Sequence, residues 1–141
     1  MFHFGKICKG VETMIPKVIH YCWFGGNPLP DSVRKCINSW KKFCPDYDIK
    51  QWDETNINLH ENAYVLEAYQ AKKWAFITDY VRLKVLVEYG GIYMDTDVEE
   101  LKPIDGFLSN HAFSGFEDVD CVPTGIMACE KGYTLFKELL D

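Results

Sequence analysis

No run in this chain approaches the roughly 18–20 consecutive apolar residues that cross a membrane, and residues 1–13 lack the apolar core of a secretory signal. The six cysteines, Cys8, Cys22, Cys36, Cys44, Cys121 and Cys129, contain no C-x-x-C pair, which leaves a zinc site with little support. There is no cluster of Lys and Arg, and the formal net charge of -6 argues against general nucleic-acid binding. Internal repeats, low-complexity stretches and a dividing linker are all missing. What is present is apolar material. Of 141 residues, 48% are hydrophobic and 15% aromatic, enough for one domain with a real core and too much for disorder.

The order of signals along the chain is that of an α/β protein. Lys17 to Phe24 reads as a buried strand, broken by Gly25-Gly26-Asn27-Pro28. Asp31 is the predicted N-cap of a helix in which Val33, Cys36, Ile37, Trp40 and Phe43 recur at helical spacing until Pro45. Tyr47 to Trp52 follows as a second strand. Strand, helix, strand is a βαβ unit, so the sheet is expected to be mostly parallel. Helices are predicted over 61–71 and 74–89, the second stopped by Gly90-Gly91 in the αL manner. A strand over 92–95 comes next, then short strands at His111 to Phe116 and Ile126 to Cys129, and an amphipathic helix from Tyr133 to Leu140. Met14-Ile15-Pro16 is a natural start ahead of the first strand. Residues 1–13 are expected to be a ragged N-terminal extension and residues 14–141 the domain. The cysteines fit reduced, partly buried thiols of a cytosolic protein.

The chemistry concentrates at Gly90-Gly91-Ile92-Tyr93-Met94-Asp95-Thr96-Asp97. In an extended strand residues i and i+2 share a side, so Asp95 and Asp97 should aim two carboxylates at one point where a buried strand emerges. Ligands of open α/β sheets bind there. Crowded carboxylates need a shared proton or a cation. With only oxygens on offer, that cation is Mg²⁺ or Mn²⁺, shared with substrate phosphates. A solvated acidic turn, extended by Glu99 and Glu100, is the plainer alternative.

The helix over 74–89 carries the second signal. At about 100° per residue, Arg82, Leu83, Leu86 and Ala75 fall within about 60° of Asp79. Lys84 and Glu88 fall on the far side and should mark the solvent face. Asp79 and Arg82 therefore point inward or into a cleft. Either they form an ion pair that ties the helix to its neighbour, or they face a polar ligand, Arg82 on phosphate or sugar oxygens and Asp79 on sugar hydroxyls.

Three segments together, Ile15-Pro16-Lys17-Val18-Ile19-His20-Tyr21-Cys22-Trp23-Phe24-Gly25-Gly26, Ala75-Phe76-Ile77-Thr78-Asp79-Tyr80-Val81-Arg82 and Tyr89 to Asp97, resemble the glycosyltransferases with a sugar-binding D-x-D region. That family includes capsular-polysaccharide and mannosyl transferases and is related in its core to the glucosylating toxins. The resemblance implies a Rossmann-like nucleotide-diphospho-sugar transferase fold of GT-A type. It gives Trp23 the role of stacking on the nucleobase, against core filling as its ordinary alternative. It assigns Asp79, Arg82, Tyr93 and Asp95 to the donor, and Asp95 and Asp97 to Mn²⁺ or Mg²⁺. His20, in mid-strand, reads as a satisfied core residue. Family members run well beyond this length, so a C-terminal truncation that removes most of the acceptor site is expected.

The function so implied is metal-dependent transfer of a sugar from a nucleotide diphospho-sugar to an acceptor hydroxyl, with retention, in polysaccharide or glycoconjugate synthesis. Asp95, Asp97 and Arg82 are the candidate catalytic residues. The acceptor is a glycan or glycolipid. The location is cytoplasmic, compatible with peripheral association at the inner face of a membrane. Two alternatives stand beside this one: a truncated, non-catalytic domain that binds nucleotide sugar or divalent metal, and a calcium-binding module. The latter is disfavoured because Asp95-Thr96-Asp97-Val98-Glu99-Glu100 has no Gly at loop position 6.

Overall fold

The apolar run at the start of the domain forms β1 (Val18–Cys22), and everything else is arranged around it. The computed structural model describes residues 14–115 and 124–141; the expected extension over 1–13, Phe116, Cys8 and Cys121 lie outside those. After β1 come α1 (Asp31–Phe43), β2 (Asp48–Trp52), α2 (Ala63–Gln70), α3 (Trp74–Tyr89), β3 (Gly91–Met94), a 3₁₀ turn (Asp105–Phe107), β4 (Ala112–Ser114), β5 (Ile126–Cys129) and α4 (Thr134–Leu140). The strand order is β2-β1-β3-β5-β4. β1 pairs in parallel with both β2 and β3. β5 runs antiparallel to β3 and to β4. The sheet is thus mixed: β2, β1, β3 and β4 run in one direction, and β5 runs against them. Helical crossovers build the β2-β1-β3 half, where parallel neighbours require them, whereas β5 runs against both of its neighbours.

Period-two alternation sorts the strand side chains between two cores. Ile19 and Tyr21 of β1 and Ile92 and Met94 of β3 face the α1 side, among Val33, Ile37 and Trp40. Cys22 and Tyr93 face the other side, among Ile77, Val81, Val85 and Leu86 of α3. All four residues of β3 are buried. Cys22, Cys36, Cys44 and Cys129 are buried free thiols.

Two helix ends differ from expectation. Pro30, not Asp31, occupies the N-cap of α1, with no side-chain capping bond. Asp31 is instead the first helical residue and lies 3.7 Å from Arg34, where its charge still suits the helix dipole. At the end of α3, Gly90 has φ 68° but ψ -176°. The positive φ stops the helix, and the extended ψ sends the chain straight into β3 rather than through an αL turn. Gly91 continues with φ 110°.

His20 is the core residue expected, and its partners fix its tautomer. The Trp52 indole N–H donates to Nδ1 at 3.0 Å, so Nε2 carries the proton and donates to the Gly90 carbonyl at 2.9 Å. Burial, aided by the nearby Lys50 charge and opposed by the Gly90 bond, lowers the His20 pKa. An unfolded histidine titrates near 6.5. Below that pH the unfolded chain takes up a proton that native His20 refuses, so stability falls as pH drops. Melting temperatures from pH 7.5 to 5 should show wild type losing up to about 1.4 kcal/mol per pH unit more than His20→Gln. Parallel curves for the two proteins would contradict this assignment.

Candidate functional site

Trp23, Asp79, Arg82, Tyr93, Asp95 and Asp97, the six residues singled out in the sequence, all line one cleft of about 600 Å³. It opens beyond the carboxyl ends of β1 and β3. Three elements converge there: the Trp23 turn after β1, the N-terminal half of α3, and the segment after β3. Cys22, Asn27, Trp74, Thr78 and Thr124 complete much of the wall.

Asp95 and Asp97 reach the cleft from a turn, not from an extended strand. β3 ends at Met94, and the Val98 N–H donates to the Asp95 carbonyl at 3.0 Å. The strand rule does not apply to 95 and 97, although both line the cleft, and it holds one step earlier: the Tyr93 hydroxyl donates to Asp95 Oδ1 at 3.0 Å. The turn is held from behind by α1. The Trp40 indole N–H donates to the Val98 carbonyl at 2.9 Å, and the Glu100 N–H donates to Ser39 Oγ at 2.8 Å. The Cys44 thiol meets the buried Glu100 carboxylate at 3.3 Å.

Arg82 is the charged group built most deeply into the site, with its side chain 6% exposed. Its Nη1 donates to the Thr124 carbonyl at 2.5 Å. Its Nη2 lies 3.2 Å from Asp95 Oδ1 and 3.5 Å from Asp79 Oδ1. The guanidinium sits 4.6 Å above the Tyr93 ring centre. Asp79 is different: it lies at the mouth of the cleft, with its side chain 64% exposed. Thus the helical wheel places Arg82 correctly and puts Asp79 one layer too deep. It also misplaces Lys84. That side chain is largely covered, bonded to Glu61 and 3.8 Å from Glu88, because the segment leading into α2 folds over that flank of α3.

Trp23 is half-buried. Part of it packs on the α1-side core, but it also borders the cleft and is not enclosed. Its indole N–H donates to the Asn27 carbonyl at 2.7 Å, which fixes the ring across the Gly25-Gly26 turn. Thr124 and Gly125 gave no signal in the sequence, since their relevance comes only from pairing. The Asp95 N–H donates to the Gly125 carbonyl at 2.8 Å, and a Cβ on residue 125 would sit 3.2 Å from Asp95 Oδ2. Trp74 could have been suspected only as an aromatic at a helix start.

Electrostatically the cleft carries more negative charge than it neutralises. Burial, with Asp97 and Asp79 adding to it, raises the Asp95 pKa against the opposing pull of Arg82 and the Tyr93 hydroxyl. Burial pushes the neighbouring Cys22 thiol up to about 12, so it stays protonated and unreactive. An all-oxygen donor set of this kind suits a hard divalent cation. Among the described residues no three His, Cys, Asp or Glu side chains gather as a metal cage. Asp95 and Asp97 therefore fit part of a coordination shell that a ligand and water would complete.

Sequence comparison points the same way as the cleft. The family described as glycosyltransferase sugar-binding region containing DXD motif matches residues 30–114. The chain belongs to that family. Among its relatives, inositol phosphoceramide mannosyltransferase 1 of Schizosaccharomyces pombe is 32% identical over 74% of this chain and 34% of its own length. Subversion of eukaryotic traffic protein A of Legionella pneumophila is 22% identical over 94% of this chain and 25% of its own length. The chain of this DXD glycosyltransferase family member thus spans a quarter to a third of those two proteins. The solved structure of PaToxG glycosyltransferase superposes with a TM-score of 0.67 at 18% identity, covering 98% of this chain and 65% of that one. That likeness establishes the GT-A type fold expected from the sequence. Among the described residues, no helix is long and apolar enough to cross a membrane.

Proposed function

We propose that this domain transfers a sugar from a nucleotide diphospho-sugar to an acceptor hydroxyl, with Mg²⁺ or Mn²⁺ held by Asp95 and Asp97. The observation that carries the proposal is the gathering of Trp23, Arg82, Asp95 and Asp97 around one cleft. A flat aromatic face, a buried guanidinium and paired carboxylates are the groups that a base, a diphosphate and its counter-cation require. When bound, the cation would supply Lewis-acid stabilisation of the departing diphosphate. Arg82 adds fixed positive charge where negative charge grows. The Tyr93 hydroxyl orients Asp95, and Asp79 at the mouth accepts hydrogen bonds from sugar hydroxyls.

The bond that breaks joins the anomeric carbon to a phosphate oxygen, and its electron pair leaves with the diphosphate. The bond that forms joins the acceptor oxygen to that carbon. The acceptor proton passes to the departing phosphate oxygen. Asp79, Asp95 and Asp97, the cleft carboxylates among the described residues, each have another role in this scheme. We therefore favour front-side attack with retention over a double displacement. A role in polysaccharide or glycoconjugate synthesis on the cytoplasmic side of a membrane, with a glycan or glycolipid acceptor, belongs to the same proposal. The phosphoceramide in one relative's name supports the glycolipid option.

The test is a thermal-shift screen of uridine, guanosine and cytidine diphospho-sugars with Mn²⁺, followed by product analysis on whichever stabilises the protein. A shift with turnover supports the transferase, and a shift without turnover supports a binding domain. No shift with any donor overturns the donor-site reading. In the same assay Trp23→Ala should weaken nucleotide binding by about 1–3 kcal/mol, the range for one base stacked on an aromatic ring. The metal preference should not change.

A further inference from the structure

Asp95 Oδ1 is already in use. It accepts the Tyr93 hydroxyl at 3.0 Å and faces Arg82 Nη2 at 3.2 Å. A divalent cation arriving at this carboxylate would meet a guanidinium already paired with it, and like charges at close range repel strongly in a partly desolvated site. The arginine cannot escape into water, because its side chain is 6% exposed and its Nη1 is tied to the Thr124 carbonyl. Nor is it satisfied where it is. The buried Nε has no hydrogen-bond partner among the described residues. Asp79 Oδ1, 3.5 Å from Nη2, offers an alternative partner on the donor side of the cleft.

We propose that Arg82 and the divalent cation compete for Asp95, and that the donor diphosphate resolves the competition by giving Arg82 another anion to hold. Arg82 then keeps metal affinity low in the empty site and couples metal binding to donor binding. Because coupling is reciprocal, the cation strengthens the diphosphate's hold by the same factor. This rests on the donor-site reading above and adds to it a cause for joint, rather than independent, binding of metal and nucleotide.

The experiment measures free Mn²⁺ by electron paramagnetic resonance while wild type, Arg82→Gln and Asp95→Asn are titrated with Mn²⁺, with and without uridine diphosphate or whichever nucleoside diphosphate the screen selects. Arg82→Gln should bind Mn²⁺ alone about tenfold more tightly than wild type, within the usual range of coupling. It should also lose most of the nucleotide's enhancement. Mere loss of a nearby positive charge would tighten Mn²⁺ with and without nucleotide alike, and that result counts against the proposal. If Asp95→Asn loses Mn²⁺ and Arg82→Gln gains none, the competition is wrong and the donor site stands. If Asp95→Asn binds Mn²⁺ as wild type does, the donor site itself is wrong.

A measurement on the wild-type protein covers the case in which Arg82→Gln does not fold. Arg34 and Arg82 are the chain's two arginines, so a nitrogen-15 spectrum of the guanidinium Nε–H groups contains two assignable signals. Saturating Mg²⁺ should move the Arg82 signal and leave that of Arg34, which is exposed. An unmoved Arg82 signal overturns the proposal.

Discussion

Asp95→Asn should bind metal with nucleotide roughly a hundredfold or more weakly and transfer no detectable sugar. Even outer partners of metal ligands are worth about 10–100-fold in affinity or activity, and Asp95 is placed to be a ligand itself. The substitution keeps the shape of the side chain and its backbone bond to Gly125. It removes the charge that faces Arg82 and that the proposed cation would share. Asp79 remains beside Arg82 at 3.5 Å, so the guanidinium keeps a partner and the fold should survive. Isothermal titration and a donor-hydrolysis assay, with circular dichroism as the control for folding, decide it. Wild-type affinity in a folded Asp95→Asn protein would remove the site assignment.

The second large effect is on stability. In Gly91→Ala the new Cβ would lie 2.6 Å from the Val18 carbonyl oxygen and 3.1 Å from His20 Nε2, at a φ of 110°. Neither neighbour is a flexible side-chain tip. One is β1 backbone, and the other is locked between Trp52 and Gly90. Backbone strain costs on the order of 1–3 kcal/mol and overpacking about 1–3 kcal/mol more, a large part of a domain's total stability. A small domain loses about 1–3 kcal/mol of stability per molar urea. Gly91→Ala should therefore be largely unfolded, or reach its urea midpoint at least about 1 M below that of Gly106→Ala. Residue 106 has open space where a methyl group would sit and no positive φ, so its variant should unfold with wild type. Similar midpoints for the two variants would mean that β1 and β3 do not pack as described.

What was legible in the sequence followed from local pattern. The helix over 74–89 was readable because Gly90-Gly91 marks its end, and β1 because Val18 to Cys22 leaves no solvent face. Arg82 was found by asking what its apolar neighbours on the wheel imply. What could not be read depended on partners distant in sequence. The turn at Asp95 to Val98 is set by Trp40 and Ser39 on α1, Lys84 is covered by Glu61, and Arg82 is completed by the Thr124 carbonyl. The antiparallel half of the sheet was hidden for a related reason. β4 and β5 are three and four residues long, too short for their own pattern to declare a direction.

The grip of α1 on the segment behind the acidic turn has a consequence for how such a protein diversifies. Ser39, Trp40 and Cys44 do not line the cleft, yet a small change in any of them would shift Asp97 relative to Asp95 without altering either carboxylate. In the proposed transferase, metal and donor preference would therefore be adjustable from the rear of the domain, by substitutions that leave every cleft-lining side chain in place. A mutant library confined to the visible lining would sample identity but not spacing. Randomising positions 39, 40 and 44 together explores the spacing.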